Sequence, residues 1–493
     1  MKWRSKRLVK PRVEIERLQR RYDKTKGCYV YDIRFKTRAP LTDRTLKVAE
    51  AFGLGIDKEK EHIIYEDFEL RLGDRDIVYI TGDSGSGKSV LLRALEEDLG
   101  DQAINIDDVV IDPEKPLIDT VGKTFKEALS LLSRVGLNDA FLFLRTYNQL
   151  SDGQKYRYRI AKMIDSGKQY WIADEFCSTL DRTTAKIVAF NLQKLARRTG
   201  RAAILATTHT DLEEDLAPSI RIHKGWGREI HIDYRPNELN NVCSVTKGIK
   251  IREGSMEDYK RLAYLHYRST GARFPLKFYA MEREGELIGV IHYKYAPINV
   301  SGRMKAVGRR VSLKELNSDW ALIDRVIIHP KYRTIGLGAR LVRETLPLVG
   351  RRYVELIAVM AQYNPFAEKA GMRKIQENKP HPKILEAVEK LRALGFNPMM
   401  LASESYNLKR LKKLSPEEVD KVREILLDLP AHYYKRLMSG IKPYYKRPEM
   451  REWLWRQDLH RLAKSLRILS VLSETKVYLF WCRDWIEGGG SDG

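Results

Sequence analysis

The chain of 493 residues reads as an α/β protein built in series: a P-loop nucleotide-binding domain, a smaller α+β domain, and a helical C-terminal region. Three observations carry that reading. The glycine-rich segment Gly82-Asp83-Ser84-Gly85-Ser86-Gly87-Lys88-Ser89 joins the apolar stretch 77–80 to the helix-forming stretch 90–95. A second strand-to-helix turn, with Arg333, Gly336 and Gly338, follows the long apolar run 320–328. From about His381 onward the pattern is helical.

The first glycine turn is a nucleotide-phosphate cradle. Gly82, Gly85 and Gly87 let backbone N–H groups turn inward around phosphate, with Ser84 in the same loop, and the helix N-terminus adds positive potential. Lys88 neutralises phosphate oxygens, and the Ser89 hydroxyl is placed to hold Mg²⁺. Further along, Leu150-Ser151-Asp152-Gly153-Gln154 leads into a helical stretch, 155–166. The strand 170–173 ends in Asp174-Glu175, followed by Ser178-Thr179-Leu180-Asp181, and the strand 202–208 closes on His209.

In order and spacing these segments resemble the ABC-type ATPase cassette: Walker A loop, signature, Walker B carboxylates, D-loop and switch histidine. The resemblance implies ATP and Mg²⁺ as cofactors. Asp174 would position the metal, Glu175 polarise the attacking water, and His209 contact the γ-phosphate. Ser151, Gly153 and Gln154 would serve the nucleotide of the opposite protomer, so one cassette per chain implies a homodimer. Asp152 stands where the family usually has glycine, and no glutamine stands at the Q-loop position around Asp112-Pro113-Glu114. Phe52, upstream of the strand 62–65, is the candidate for stacking on adenine.

After a polar connector at 235–238 the pattern restarts. Stretches 278–281 and 287–291 flank the turn Arg283-Glu284-Gly285-Glu286 as a hairpin. The run 320–328 then enters the second glycine turn, and a helix over 339–346 follows. This segment resembles the R/Q-x-x-G-x-G motif of GNAT acyl-CoA transferases through Arg333, Gly336 and Gly338. The resemblance implies acetyl-CoA, its diphosphate gripped by backbone amides from Arg333 and Thr334 to Gly338 and Ala339, and its pantetheine arm paired along Val326 and Ile328. Tyr363-Asn364, before the stretch 365–372, resembles the start of the family's closing segment, which adds Asn364 to the coenzyme-binding set. Ala367 occupies the place where many relatives carry the tyrosine that protonates the departing thiolate, and Tyr363 is the nearest replacement. His266-Tyr267, Gly289 and Arg325 resemble the Mom-like, DNA-modifying branch, with His266 as base or ligand.

At this length the chain exceeds one core, and the expected divisions are a basic extension 1–45, the ATPase domain 46–240, the GNAT-like domain 245–380 and a basic helical region 381–493. The formal charge of +23 favours a polyanionic partner, nucleic acid first. Residues 1–26 hold eleven lysines and arginines against three acids and read as loosely structured, as do 488–493. A second basic zone interleaves Lys435, Arg436, Lys442, Lys446, Arg447, Arg451 and Arg456 with Tyr433, Tyr434, Tyr444, Tyr445, Trp453 and Trp455, the ingredients of single-strand binding. No apolar run approaches the roughly 18 residues of a membrane span, and the four cysteines are scattered without CxxC pairs. A cytoplasmic protein with no membrane partner is expected. The whole reads as an ATP-dependent N-acetyltransferase acting on a tRNA or DNA base. The alternative is an ABC-type ATPase switch in repair or translation, with a GNAT domain that modifies proteins or small molecules, or is inactive.

Overall fold

The computed structural model describes residues 14–37, 42–55, 60–266, 271–438, 442 and 444–487. Strands β1 (Glu14–Asp23), β2 (Cys28–Thr37) and β3 (Lys60–Leu70) form an antiparallel sheet in sequence order, with α1 (Asp43–Phe52) between the last two. The basic N-terminal segment is therefore not loose over 14–23: alternation of Tyr29, Tyr31 and Ile33 along β2 gives it a core-facing partner to pair with. Residues 1–13 and 488–493 lie outside the described residues, as does Tyr267.

The second sheet contains β4 (Ile77–Thr81), β5 (Ala103–Asn105), β6 (Tyr170–Ala173), β7 (Ala202–Ala206), β8 (Ile220–Lys224) and β9 (Ile230–Tyr234). Its order is β5-β6-β7-β4-β8-β9, all neighbours parallel except the β8–β9 hairpin. Every residue of β4 and β7 is buried, which is why both read as unbroken apolar runs: a central parallel strand is covered on both faces. On one face Tyr31, Tyr65, Ile80, Leu91 and Ile204 pack together, and on the other Tyr79, Tyr158, Trp171, Leu192 and Leu205. Helices α2 (Lys88–Leu99), α3 (Phe125–Arg134), α4 (Ala140–Phe143), α5 (Asp152–Asp165), α6 (Arg182–Thr199) and α7 (Glu213–Leu216) surround the sheet. With β4 at its centre, the loop after β4 opens at the carboxyl edge, where ligands of such sheets bind.

The third sheet has seven strands: β10 (Ile249–Gly254), β11 (Pro275–Arg283), β12 (Glu286–Tyr295), β13 (Trp320–Ile328), β14 (Tyr353–Ala358), β15 (Arg373–Asn378) and β16 (Lys476–Cys482), in the order β10-β11-β12-β13-β14-β16-β15. The expected hairpin is β11–β12, its turn made by Glu284 (φ 52°) and Gly285 (φ 81°). Helices α8 (Met256–Ala263), α9 (Arg303–Val307), α10 (Leu313–Asp319), α11 (Leu337–Thr345) and α12 (Phe366–Lys369) accompany it.

The C-terminal region is helical through α13 (Pro382–Ala393), α14 (Glu404–Leu411), α15 (Pro416–Leu427), α16 (Tyr434–Met438), α17 (Arg447–Arg456) and α18 (Leu459–Leu472), and then returns to the sheet as β16. Helices α17 and α18 are separate because the Asp458 carboxylate caps α18 by accepting the Arg461 N–H at 2.8 Å. Strand β16 enters between β14 and β15, and from Val477 to Cys482 it is buried throughout. Its Tyr478 hydroxyl donates to Glu355 on β14 at 3.0 Å, and Glu355 in turn pairs with Arg303 at 2.6 Å, both members of the ion pair being buried. The first two domains share packing: Ile187 and Phe190 of α6 are buried in one cluster with Cys243, Val245 and Leu341. Among the described residues no helix is long and apolar enough to cross a membrane.

Candidate active site: two anion loops and a shared cleft

The first loop turns from β4 into α2 through three left-handed glycines, Gly82 (φ 138°), Gly85 (φ 81°) and Gly87 (φ 110°). A Cβ at Gly82 would lie 2.0 Å from the Lys224 carbonyl oxygen, and one at Gly87 2.4 Å from the Ile64 side chain, so glycine is required by space as well as by φ. Lys88 folds back over the loop, its ammonium donating to the carbonyls of Gly82 (2.7 Å) and Asp83 (2.6 Å). Burial pulls the Lys88 ammonium below its ordinary pKa, and the nearby carboxylates of Glu175 and Asp174 oppose that pull. Lysine and carboxylates thus face one site, with Ser89 half-buried in the first turn of α2 and Ser84 exposed on the loop. Glu175 is exposed at φ 49°, its N–H donating to the Asp174 carboxylate at 3.0 Å. The His209 carbonyl accepts from the Tyr79 hydroxyl, which fixes the segment after β7.

Ser151 caps α5, and its N–H donates to the Gln154 side chain at 3.1 Å. Gly153 passes so close to Leu180 that a Cβ would lie 3.3 Å from it, so this helix start packs on the segment 178–181. Asp152 projects into solvent with 96% of its side chain exposed, which accommodates an acid at a position where a turn toward the protein would not. Phe52 ends α1 and is 75% exposed.

The second loop opens onto a cleft of about 1740 Å³. Strands β13 and β14 pair only from Trp320↔Tyr353 to Ile323↔Leu356, and β13 then runs on to Ile328 with its β14-facing edge free of a strand partner. Val326, Ile328, Arg333, Thr334, Gly336, Gly338, Ala339, His266, Tyr363 and Asn364 all line this one cleft. Gly336 (φ 90°) is exposed, and a Cβ there would meet nothing within 4 Å, so the space in front of the loop is open. The N–H groups of Leu337, Gly338 and Ala339 form the first turn of α11, before the ladder begins with Arg340 N–H to Gly336.

The loop is held from outside its own domain. The Arg333 guanidinium donates to the Ile328 carbonyl (2.8 Å) and across the junction to the Asn138 carbonyl (2.9 Å). Thr334 sits at φ 74°, a conformation a β-branched residue adopts only under constraint, and its hydroxyl accepts from Asn191 of α6 at 2.9 Å. Lys331 pairs with Asp181, the N-cap of α6, at 2.9 Å. The ring of Tyr363 packs edge-on against Phe125 of α3, centroids 5.5 Å apart.

The sequence model of the acetyltransferase (GNAT) family matches residues 246–370. A cytochrome c biogenesis ATP-binding export protein, CcmA of Reclinomonas americana, is 31% identical over 179 residues, which is 30% of this chain and 80% of that protein. The chain belongs to the ABC-type ATPases. Behind that cassette it carries a GNAT domain. A methionine import ATP-binding protein, MetN of Streptococcus agalactiae serotype Ia, is 28% identical over 207 residues, and the chain spans 57% of its length. The dimeric post-hydrolysis structure of the cassette MJ0796 with ADP and Pi aligns at 20% identity and a TM-score of 0.31, covering 36% of this chain and 94% of that one.

The GNAT domain holds site residues that the sequence reading did not single out. Asp324 lines the cleft where β13 bulges, its carboxylate 2.5 Å from the Lys294 ammonium and 3.3 Å from Nδ1 of His292. Burial would raise Asp324, but the His292 ring and the charges of Lys294 and Arg325 hold it well below the usual carboxylate range. His292 is fully buried and stacks on Phe278 at 4.7 Å, with Nδ1 toward Asp324 and Nε2 without a hydrogen-bond partner among the described residues. The signal was available: an acid inside an otherwise apolar strand, and a histidine inside another, are both costly unless used.

The basic C-terminal zone resolves unevenly. Tyr434 and Tyr445 are core residues, and Lys442, Arg447, Arg451 and Arg456 pair with Glu449, Asp428, Glu424 and Glu452. Tyr433 and Arg436, by contrast, line the cleft beside His381 and Lys379. Altogether the cleft presents nine lysines and arginines against four carboxylates.

Proposed function

We propose that this protein is an ATP-driven N-acetyltransferase whose cleft receives acetyl-CoA from the Gly336 side and a nucleobase amine of tRNA or DNA from the side of Tyr433 and Arg436. The observation that carries the reading is the cationic cleft itself, lined at one place by an amide-lined loop and at another by His266, Asp324 and Arg325. The coenzyme would supply the acyl thioester. The first-turn amides of α11 would hold its diphosphate, and the free edge of β13 at Val326 and Ile328 its amide arm. His266 would take the proton as the amine nitrogen attacks, and Tyr363 would return one to the leaving sulfur, in place of the buried Ala367. Tyr433 and the nearby His381 and His432 rings offer faces for an unstacked base, and Arg436 a cation for its phosphate.

In the cassette, Lys88, Ser89 and Asp174 would hold MgATP, Phe52 would stack on adenine, and Glu175 and His209 would act on the γ-phosphate. Ser151, Gly153 and Gln154 would complete the site of a second protomer in a homodimer, in the cytoplasm. Purified protein given labelled acetyl-CoA, ATP and total nucleic acid should transfer label to a nucleoside, and Gly336→Glu should abolish transfer. No label above that control rejects the acyltransferase. A second reading is favoured by the absence of a tyrosine at 367: an ATP switch with a silent GNAT domain, which turns over ATP on nucleic acid without consuming thioester.

A further inference from the structure

Four cations converge where the cleft meets the nucleotide-binding domain. Arg134 ends α3, Lys194 and Arg198 lie on α6, and Lys369 ends α12. Asn191, Lys194 and Arg198 recur at steps of three and four along α6 and so form one stripe, and Asn191 already donates to Thr334 in the second loop. Arg134 and Lys369 line the same cleft as Gly336 and Gly338. Among the described residues none of the four has an ion pair, although Asp139 and Glu368 also line the cleft. Burial lowers the Lys194 ammonium, and the charges of Arg198, Lys369 and Arg134 lower it further, as burial and Arg198 do for Arg134. Arg134, Arg198 and Lys369 are exposed and Lys194 is half-buried, so the group presents unpaired positive charge where an anion can reach it.

We propose that Arg134, Lys194, Arg198 and Lys369 form the seat of the coenzyme's 3′-phosphate, so that the nucleotide-binding domain completes the acyl-CoA site. The inference rests on the acyl-CoA reading above. A diphosphate is met adequately by backbone N–H groups at a helix start. A terminal phosphomonoester is close to a dianion at neutral pH, and is best met by several cations with forked donors. It lies one ribose beyond the diphosphate, and the cation stripe lies beyond the loop on the side where Asn191 touches it. Arg333 does not compete for the role, because its guanidinium is committed to the Ile328 and Asn138 carbonyls.

The test is calorimetric titration of the full chain with CoA and with 3′-dephospho-CoA, which share the diphosphate and pantetheine. The wild-type protein should bind dephospho-CoA at least about tenfold more weakly, about 1.4 kcal/mol. The double variant Arg134→Ala/Arg198→Ala should lose about the same factor for CoA and nothing for dephospho-CoA, with MgATP binding retained as evidence of an intact fold. Lys369→Ala, on an exposed helix end, should give a smaller loss confined to CoA. Equal affinity of the wild-type protein for the two ligands, or equal losses for both in the variants, overturns the proposal while leaving the acyl-CoA reading standing. If the wild-type protein binds neither ligand, both fall.

Discussion

The two anion loops are built alike and supported differently. The loop at Gly82 to Ser89 is shaped within its own domain: its glycines are demanded by Lys224 and Ile64, and Lys88 braces it through its own carbonyls. The loop at Arg333 to Gly338 is pinned by the other domain, through Asn138, Asn191 and Asp181. A self-contained loop can work wherever its domain folds. A loop whose strained residue, Thr334 at φ 74°, is held by a neighbour's side chain can have its shape altered by whatever moves that neighbour. The segment that meets Lys331 is the one containing Asp181, directly downstream of the Asp174-Glu175 pair, so the nucleotide site and the second loop are separated by only a few residues of chain.

The largest expected effect tests the independence of the first loop. Lys88→Ala should reduce ATP hydrolysis by on the order of a hundredfold or more, since a preorganised donor to developing phosphate charge is lost. Phosphate release checks that, and CoA affinity of the same variant, measured by calorimetry, should be unchanged. A parallel loss of CoA binding would break the comparison by showing that the first loop also supports the second.

Next in size is Asp324→Asn, which removes the counter-charge to Lys294 and Arg325 in the cleft onto which the second loop opens. Leaving those cations unbalanced should cost about 3 kcal/mol of stability in denaturant unfolding. The carboxyl is held below its usual 3.8 in the folded chain. Its contribution is therefore present above that value and lost as pH falls below it. The gap between wild type and variant should stay constant between about pH 5 and 8 and close only in acid. A gap that closes near neutral pH would show that the Asp324 carboxylate is not the group responsible.

Asn191→Ala should cost about 1 kcal/mol and weaken CoA binding several-fold while leaving MgATP binding intact, because the lost hydrogen bond supports Thr334 alone. Loss of MgATP affinity instead would show that α6 transmits the change backward, and would make the coupling reciprocal.

This contrast also explains what was legible in the sequence. The first loop, the carboxylates after β6 and the histidine after β7 are local patterns on strand ends, and a strand end is visible in a short window. The β11–β12 hairpin and the β13 turn were legible for the same reason. Strand β16 was hidden because its partners, β14 and β15, lie about a hundred residues away across a helical insertion, and nothing in Val477–Cys482 distinguishes a buried strand from a buried helix turn. The tether of the Arg333 side chain was hidden for a related reason: a motif fixes the loop but says nothing of Asn138 on the far side of the junction. The cation stripe of α6 was likewise unreadable, since Lys194 and Arg198 look like an ordinary solvated face until α3 and α12 are brought beside them.

The smallest expected effect is the most diagnostic of communication between the loops. The Asp181–Lys331 pair is half-exposed, with side chains 54% and 34% accessible, so its worth to stability is about 0.5 kcal/mol. Its position matters more than its strength, since Asp181 also caps α6 by accepting the Thr184 N–H, and cap and ion pair share one carboxylate oxygen. In a double-mutant cycle of Asp181→Asn and Lys331→Gln, asparagine keeps a capping oxygen while the ion pair is lost. If the pair links the two loops, the coupling energy for CoA binding should differ between protein with and without MgATP, while the coupling energy for unfolding should not. Identical coupling in both nucleotide states would mean that the junction is a rigid weld and that the first domain shapes the second loop without signalling to it.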